Sequence, residues 1–289
     1  TGRMIEAIER VLLECRPDWV LVYGDTDSTL AGAIAAAKLN VPLAHIEAGL
    51  RAFNRRMPEE INRVLTDHAA NLLFAPTETA VRHLANEGIS GVSVHLVGDV
   101  MYDAALFYGD KAERESSILA RLGLTSKAYA LATVHRAENT EDRCRLANIL
   151  DGFLHFRRDV VFPVHPRTRS RLSSLGLALP TNVQAIEPVG YLDMVMLEKN
   201  ACLIATDSGG VQKEAFFYGV PCVTLRDETE WTELVEARWN VIAPPTSGRE
   251  VAASMNKSLG RRGLDVQPYG MGNASVLIVE RLIGVAGER

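Results

Sequence analysis

Three kinds of residue in this sequence stand where chemistry is done. The first is acidic. Asp25 follows the apolar run 18–23, Glu47 follows the run 41–46, and Glu59 stands with Glu60 in MPEEINR, just before a helix. Side chains at the carboxyl ends of parallel strands converge on a crevice, so carboxylates placed there are candidate proton donors and acceptors. Each also has a structural use. Asp25 can cap the helix that follows it, and the Glu59/Glu60 pair can simply favour the N-terminus of its own helix. The second kind is cationic. His135-Arg136 closes the run 129–134, and His165-Pro166-Arg167 closes the run 160–164. A lone histidine is commonly structural, but two of them beside arginines form a fork suited to a departing diphosphate. The third is the stretch Thr206 to Glu214, TDSGGVQKE, which follows the apolar run 202–205 and opens a helix. Gly209 and Gly210 let a ligand approach the backbone, and the free N–H groups of a helix start favour an anion. Ser208 can add a hydroxyl contact, and Glu214, one turn further on, can accept hydrogen bonds from ribose hydroxyls. An ordinary cap with tight packing is the plain alternative.

Other motifs do not survive their context. Gly270-Met271-Gly272-Asn273-Ala274-Ser275 resembles a dinucleotide fingerprint, yet it follows a Pro-Tyr loop instead of a strand and lacks an acid at the expected distance. No GxSxG, Walker A or HExxH pattern occurs. Asp25-Thr26-Asp27 is the nearest approach to a metal-binding acid pair, but its second acid should point into the following helix turn. The expectation is therefore an enzyme with no cofactor and no metal.

The elements that must hold these residues alternate. A helix over 2–15, with Met4, Ile5, Ile8, Leu12 and Leu13 at helical spacing, precedes the strand at 18–23. Helices at 28–39, 61–69 and 77–87 then alternate with strands at 41–46, 72–75 and 92–97. A second set starts near Ala128, with strands at 129–134, 160–164, 183–186, 203–205 and 221–225 and a helix at 141–156. Wholly apolar short runs of this kind read as buried parallel strands, and their alternation with helices implies doubly wound sheets. Residues 116–127 are the expected linker. The first half opens on a helix with no strand before it, so its domain is expected to be truncated at the N-terminus. The cleft between the two halves is the expected ligand site.

Bulk properties agree with a globular enzyme. The 289 residues are 47% hydrophobic and 23% charged, with a net charge of −5 and no basic stretch for nucleic acid. The densest positive cluster, Arg51, Arg55, Arg56 and Arg63, is interleaved with acids. Cys15, Cys144, Cys202 and Cys222 form no CxxC pair, so buried free thiols in a reducing cytoplasm are expected. No apolar run approaches the roughly 18 residues that a membrane span needs, and no membrane partner is expected.

Taken together, GDTDSTL, HIEAGLR, RRMPEEINRVLTD, FAPTE, VGDVMYD, TVHRAEN, FPVHPRT, PVGYLDM, TDSGGVQKEA and GVPCVTLRDETEWTEL resemble, in collinear order, the non-hydrolysing UDP-N-acetylglucosamine 2-epimerases. The resemblance implies two Rossmann-like domains in a glycosyltransferase-B-like α/β fold, a homodimer, and interconversion of UDP-GlcNAc and UDP-ManNAc in the cytoplasm. By position, it places the catalytic groups on Asp25, Glu47, Glu59 and His135. It places substrate contacts on His165, Ser208, Gly209, Gly210, Glu214, Arg226 and Glu230, and Arg51 and Arg136 are expected to join them. The expected division is a partial N-terminal domain over 1–120, a UDP-binding domain over 121–272, and a helix over 273–289 packing back on the first domain. An opening strand and GTRPE-like loop of the family, roughly 80 residues or half a typical domain, have no counterpart here. Competing expectations are a 2-epimerase of UDP-2,3-diacetamido-glucuronate, a hydrolysing epimerase, a glycosyltransferase of the same fold, and a truncated remnant that binds UDP without turnover.

Overall fold

The computed structural model describes residues 1–286. The chain divides into two compact units, one formed by Thr1–Asp103 with Gln267–Arg289 and the other by Ala104–Val266. This corrects the expected division at 120 and 272. The first unit ends earlier, inside a helix, and the chain returns to it before residue 273.

The first unit contains α1 (Gly2–Cys15), β1 (Val20–Tyr23), α2 (Asp27–Lys38), β2 (Leu43–Ile46), α3 (Pro58–Ala69), β3 (Leu72–Ala75), α4 (Glu78–Asn86) and β4 (Val94–Leu96). Its strands are all parallel and lie in the order β1-β2-β3-β4. Strand alternation sends Ala44, Ile46, Leu72 and Phe74 to one face of the sheet and Leu43 and Leu73 to the other. Both faces are covered, which is why these strands read as continuous apolar runs. Loop hydroxyls start the helices: Thr26 accepts from the N–H of Thr29, and Thr77 from that of Ala80.

α5 (Val100–Glu115) leads into the second unit, which holds α6 (Ile118–Leu122), β5 (Tyr129–Thr133), α7 (Ala137–Thr140), α8 (Arg143–Leu154), β6 (Asp159–Pro163), α9 (Pro166–Ser174), β7 (Val183–Ile186) and α10 (Tyr191–Asn200). It continues with β8 (Leu203–Thr206), α11 (Gly209–Phe217), β9 (Cys222–Thr224), α12 (Thr232–Glu236), β10 (Asn240–Ile242) and α13 (Gly248–Ser258). The strands are parallel in the order β10-β9-β8-β5-β6-β7. That is the dinucleotide-fold order, with a reversal of direction between β5 and β8. Ala130, Ala132, Val160, Phe162, Leu203 and Ala205 face the core under α8 and α13, while Tyr129, Leu131, Val161 and Ile204 face the opposite core. Each Val, Leu, Ile or Phe among them contributes roughly 1.5–3 kcal/mol on burial, and removing the Phe162 ring should cost about 3–5 kcal/mol.

Several expectations change at this level. The presumed linker is ordered: Ile118 of α6 is buried in the second core. β10 carries no strong apolar pattern in the sequence and completes the sheet edge through pairing with β9. Of the four free cysteines, only Cys222 is buried, and Cys15 and Cys144 are exposed. The fingerprint-like Gly270 stretch leads into α14 (Ala274–Ala286), whose first N–H groups are taken by Asp103: Ala274 N donates at 3.1 Å and Ser275 N at 2.7 Å. Ala274 and Ile278 of α14 join the first unit's core beside Ile46 and Phe74. No helix among the described residues is long and apolar enough to cross a membrane.

Candidate active site

In the second unit the predicted anion-binding stretch falls at the place where strand order reverses. β5 and β8 are neighbours, with Thr133 opposite Thr206 and their hydroxyls 2.5 Å apart. Open parallel sheets leave a crevice beyond the strand ends at such a point. β5 delivers His135 and Arg136 there, and β8 delivers Ser208, Gly209 and Gly210. Ser208 caps α11 by accepting from Val211 N, which leaves the N–H groups of the glycines at the helix start. Gln212, fully buried, holds that helix in place. Its Oε1 accepts from Thr224 at 3.1 Å and from Thr229 at 2.7 Å.

Asp207 orders the cationic turn from below. It is fully buried and accepts from the N–H groups of His135 and Arg136 and from Asn139 Nδ2, each at 3.1 Å. Its carboxylate therefore fixes the main chain that presents His135 and Arg136. Nothing in the sequence singled it out from the motif around it. Burial lowers the His135 pKa below the ordinary histidine value, helped by His165, Arg136 and Arg167 and opposed by Asp207. The His135 and His165 rings lie 6.0 Å apart. His165 caps α9 by accepting from Arg167 N at its Nδ1, so its Nε2 carries the hydrogen and is free to donate.

Arg226 and Glu230 form a buried ion pair at 2.8 Å. Burial works to raise the Glu230 carboxyl, but Arg226, a main-chain N–H and Arg136 together outweigh it and hold it below the ordinary carboxylate range. A Cβ on Gly209 would stand 2.5 Å from Glu230 Oε1, so this position has room only for glycine. Glu214, one turn into α11, is largely buried. Tyr191 donates to it at 3.4 Å, and burial raises its pKa. Behind it Glu198 of α10 is completely buried, and no protein donor reaches either of its oxygens. Burial, then the facing Glu214 carboxyl, pushes Glu198 well above the ordinary carboxylate range. Burial thus favours the protonated form of both carboxyls. Glu198 carries no motif, and Tyr191, although it lies in PVGYLDM, was not singled out there; their pairing with Glu214 is visible only in the fold.

In the first unit the carboxylates stand on two adjacent turns. Asp25 follows β1 and Glu47 follows β2, and Gly24 N donates to Ile46 O at 3.0 Å between them. Gly24 has φ 61° and a Cβ there would meet Glu47 Oε2 at 3.1 Å, so the Glu47 carboxylate rests against this glycine. Glu47 itself has φ 72°, a strained value for a residue with a side chain, of the kind that collects at active sites. Asp25 Oδ2 accepts from Arg63 Nη2 at 2.6 Å. The Glu59/Glu60 pair is divided by the structure. Glu60 is buried and accepts from Ala52 N, Phe53 N and Arg63, so it is a loop clamp. Glu59 is half-buried on the first turn of α3.

Arg51 departs from expectation. It is 4% exposed, and its guanidinium binds Glu87 at 2.7 and 2.8 Å, Asp67 at 2.7 Å and the Leu50 carbonyl at 2.7 Å. Burial opposes its charge, but Glu87 and Asp67 carry its pKa above the ordinary arginine value. Four of its five N–H donors are thus engaged by the scaffold, which gives Arg51 a structural role.

The comparisons with known proteins agree along the chain. The family pattern described as UDP-N-acetylglucosamine 2-epimerase matches residues 1–283. The UDP-2,3-diacetamido-2,3-dideoxy-D-glucuronate 2-epimerase of Pseudomonas aeruginosa is 51% identical over 289 residues, covering 98% of this chain and 79% of that one. The UDP-N-acetylglucosamine 2-epimerase of Methanocaldococcus jannaschii is 44% identical over 292 residues, covering 98% and 80%. A crystal structure of the M. jannaschii enzyme in complex with UDP-GlcNAc and UDP superposes with a TM-score of 0.90 at 43% identity, over 98% of this chain and 80% of that one. That likeness brings a glycosyltransferase-B-like α/β fold with it. On the matched pattern, the identities and the superposition together, this chain belongs to the UDP-N-acetylglucosamine 2-epimerase family.

Proposed function

We propose that the protein interconverts the C-2 epimers UDP-N-acetylglucosamine and UDP-N-acetylmannosamine by eliminating and re-adding UDP. C-2 of an N-acetylhexosamine has no adjacent carbonyl, so its proton is not acidic enough for simple abstraction. Breaking the C-1–O bond, with the electron pair leaving on UDP, builds positive charge at C-1 and loosens that proton. A carboxylate takes it, and the C-1=C-2 double bond of a 2-acetamidoglucal forms. Proton return to the opposite face of C-2 and attack of the UDP oxygen on C-1 complete the inversion. Asp25, Glu47 and Glu59 are assigned the proton transfers. His135, Arg136, His165, Ser208, Gly209, Gly210, Glu214, Arg226 and Glu230 are assigned the nucleotide, its diphosphate and the adjacent sugar, with His135 beside the leaving oxygen.

The observation that carries this reading is the open start of α11 beside His135 and Arg136, at the reversal point of the second sheet. It offers main-chain donors and cations to a diphosphate leaving group while carboxylates are gathered on the other unit. The 51% identity to the diacetamido-glucuronate epimerase favours a second substrate reading, UDP-2,3-diacetamido-glucuronate. Proton NMR in D2O with each UDP-sugar tests both. The expected result is a UDP-linked epimer carrying deuterium at C-2. Free sugar would indicate hydrolysis, and UDP binding by calorimetry without turnover would reduce the protein to a binding module. The reading includes a cytoplasmic homodimer, whose mass light scattering would check.

A further inference from the structure

Behind the first unit's carboxylates lies a buried group that the proposed reaction leaves without a task. His45 in β2 is completely buried. Its Nδ1 lies 2.6 Å from Asp67 Oδ1 and its Nε2 lies 2.8 Å from the Gly24 carbonyl. A main-chain carbonyl only accepts, so Nε2 carries a hydrogen, and Nδ1 faces the Asp67 carboxyl. Asp67, on α3, also accepts from Gly49 N at 3.1 Å and from Arg51 at 2.7 Å. The His45–Asp67 pair thus reaches from the turn after β1 to the turn after β2. Those are the turns of Asp25 and Glu47. Glycine suits the left-handed positions Gly24 and Gly49, at φ 61° and 84°, but Glu47 between them takes φ 72° with a side chain. A left-handed non-glycine residue costs on the order of 1–3 kcal/mol and persists only where its surroundings enforce it.

We infer that His45 is a positioning residue for proton transfer. Its Nε2–H holds the Gly24 carbonyl, and with it the Asp25 turn and the Glu47 carboxylate resting on Gly24, at the spacing that work at C-2 requires. The inference rests on the epimerase reading above. A misplacement of about 1 Å in a reacting group can cost roughly 100-fold in rate, so one hydrogen bond to a carbonyl can govern turnover without touching substrate.

Two amide substitutions separate the ends of the ring. In His45→Asn the side chain reaches Asp67 only, and in His45→Gln its nitrogen reaches toward Gly24. H45N should lower kcat roughly 100-fold, with KM for UDP-GlcNAc and Kd for UDP changed by less than about twofold. H45Q should recover turnover to within roughly tenfold of the native protein, although both variants lose similar thermal stability with the ring. Equal losses in the two variants, or a loss that appears in KM, would overturn the assignment. Crystal structures of both variants read the geometry without turnover. The Gly24 carbonyl should be displaced in H45N and in place in H45Q, and an unmoved Gly24 in H45N sinks the inference whatever the rates. If the native protein epimerises neither UDP-sugar, the functional reading fails, while the position of Gly24 in H45N still decides this one.

Discussion

The two units prepare their working groups with charges of opposite sign. In the first, the groups on the turns are anionic, and cations stand behind them: Arg63 at Asp25, and Arg51 joining Asp67 to Glu87. In the second, the turn carries the His135 imidazole and the Arg136 guanidinium, and an anion stands behind it: Asp207 gathers the N–H groups of His135 and Arg136. A buried charge stays only where it is paired and hydrogen-bonded, so each scaffold charge is also a rigid bracket for main chain. The sign of the bracket leaves the working group complementary to its task. On the proposed reading, the carboxylates serve proton transfer, and the imidazole and guanidinium groups serve a diphosphate.

This contrast can be broken most sharply at the first unit's working group. Glu47→Gln should lower epimerisation by about 10³-fold, within the usual range for a lost acid–base group, with UDP affinity by calorimetry unchanged. Turnover near the native rate would remove the first unit from the chemistry. The second unit should respond in the opposite sense. Asp207→Asn replaces a carboxylate that accepts from three donors with an amide, at a cost of about 1.5–3 kcal/mol per charged hydrogen bond lost. UDP affinity should fall by roughly 10- to 100-fold while deuterium exchange at saturation is retained. Unaltered UDP affinity would show that the buried anion does not hold the cationic turn.

A smaller effect distinguishes a buried charge with partners from one without. Glu198 and Glu214 face one another with raised pKa values, burial being the main cause. The folded pair holds a proton that the unfolded chain releases more readily. Stability from this pair is therefore fully present below the ordinary carboxylate value of 4.5 and is lost as pH rises through the folded values. Glu198→Gln cannot ionise, so its melting temperature should exceed the native one at pH 8 and converge with it toward pH 4.5. Each kcal/mol gained corresponds to about 2–4 °C in a domain of this size. A melting difference independent of pH would assign Glu198 to packing alone.

Much of the architecture was legible from local pattern. β2, β3 and β5 are short apolar runs between helices, and a buried parallel strand must be apolar on both faces. β10, Asn240–Ile242, was not legible, because a three-residue edge strand is defined by pairing with β9 and has too few positions to show a period. The Ser208-Gly209-Gly210 start of α11 was legible for a similar reason. A strand, a glycine turn and a helix start are consecutive in sequence, so the motif contains its own context.

What the chain order could not contain is the sorting of like residues into workers and brackets. Glu59 and Glu60 are neighbours of the same type, and only the fold turns Glu60 onto the N–H groups of Ala52 and Phe53. Arg51 sits in the HIEAGLR motif beside Glu47, yet its guanidinium is spent on Asp67 and Glu87, 16 and 36 positions away. Asp25 and Asp207 both end strands. The first remains half-buried beside Arg63, and the second disappears under a turn 72 positions earlier in the chain. The amino-acid sequence alone determined the strand–helix alternation, the helix start that can take an anion, and the positions of the acids at strand ends, because these depend on neighbours in the chain. Tertiary structure alone decided which acid is buried with a partner and which is left to act, because burial and charge pairing depend on residues that meet only when the sheets form.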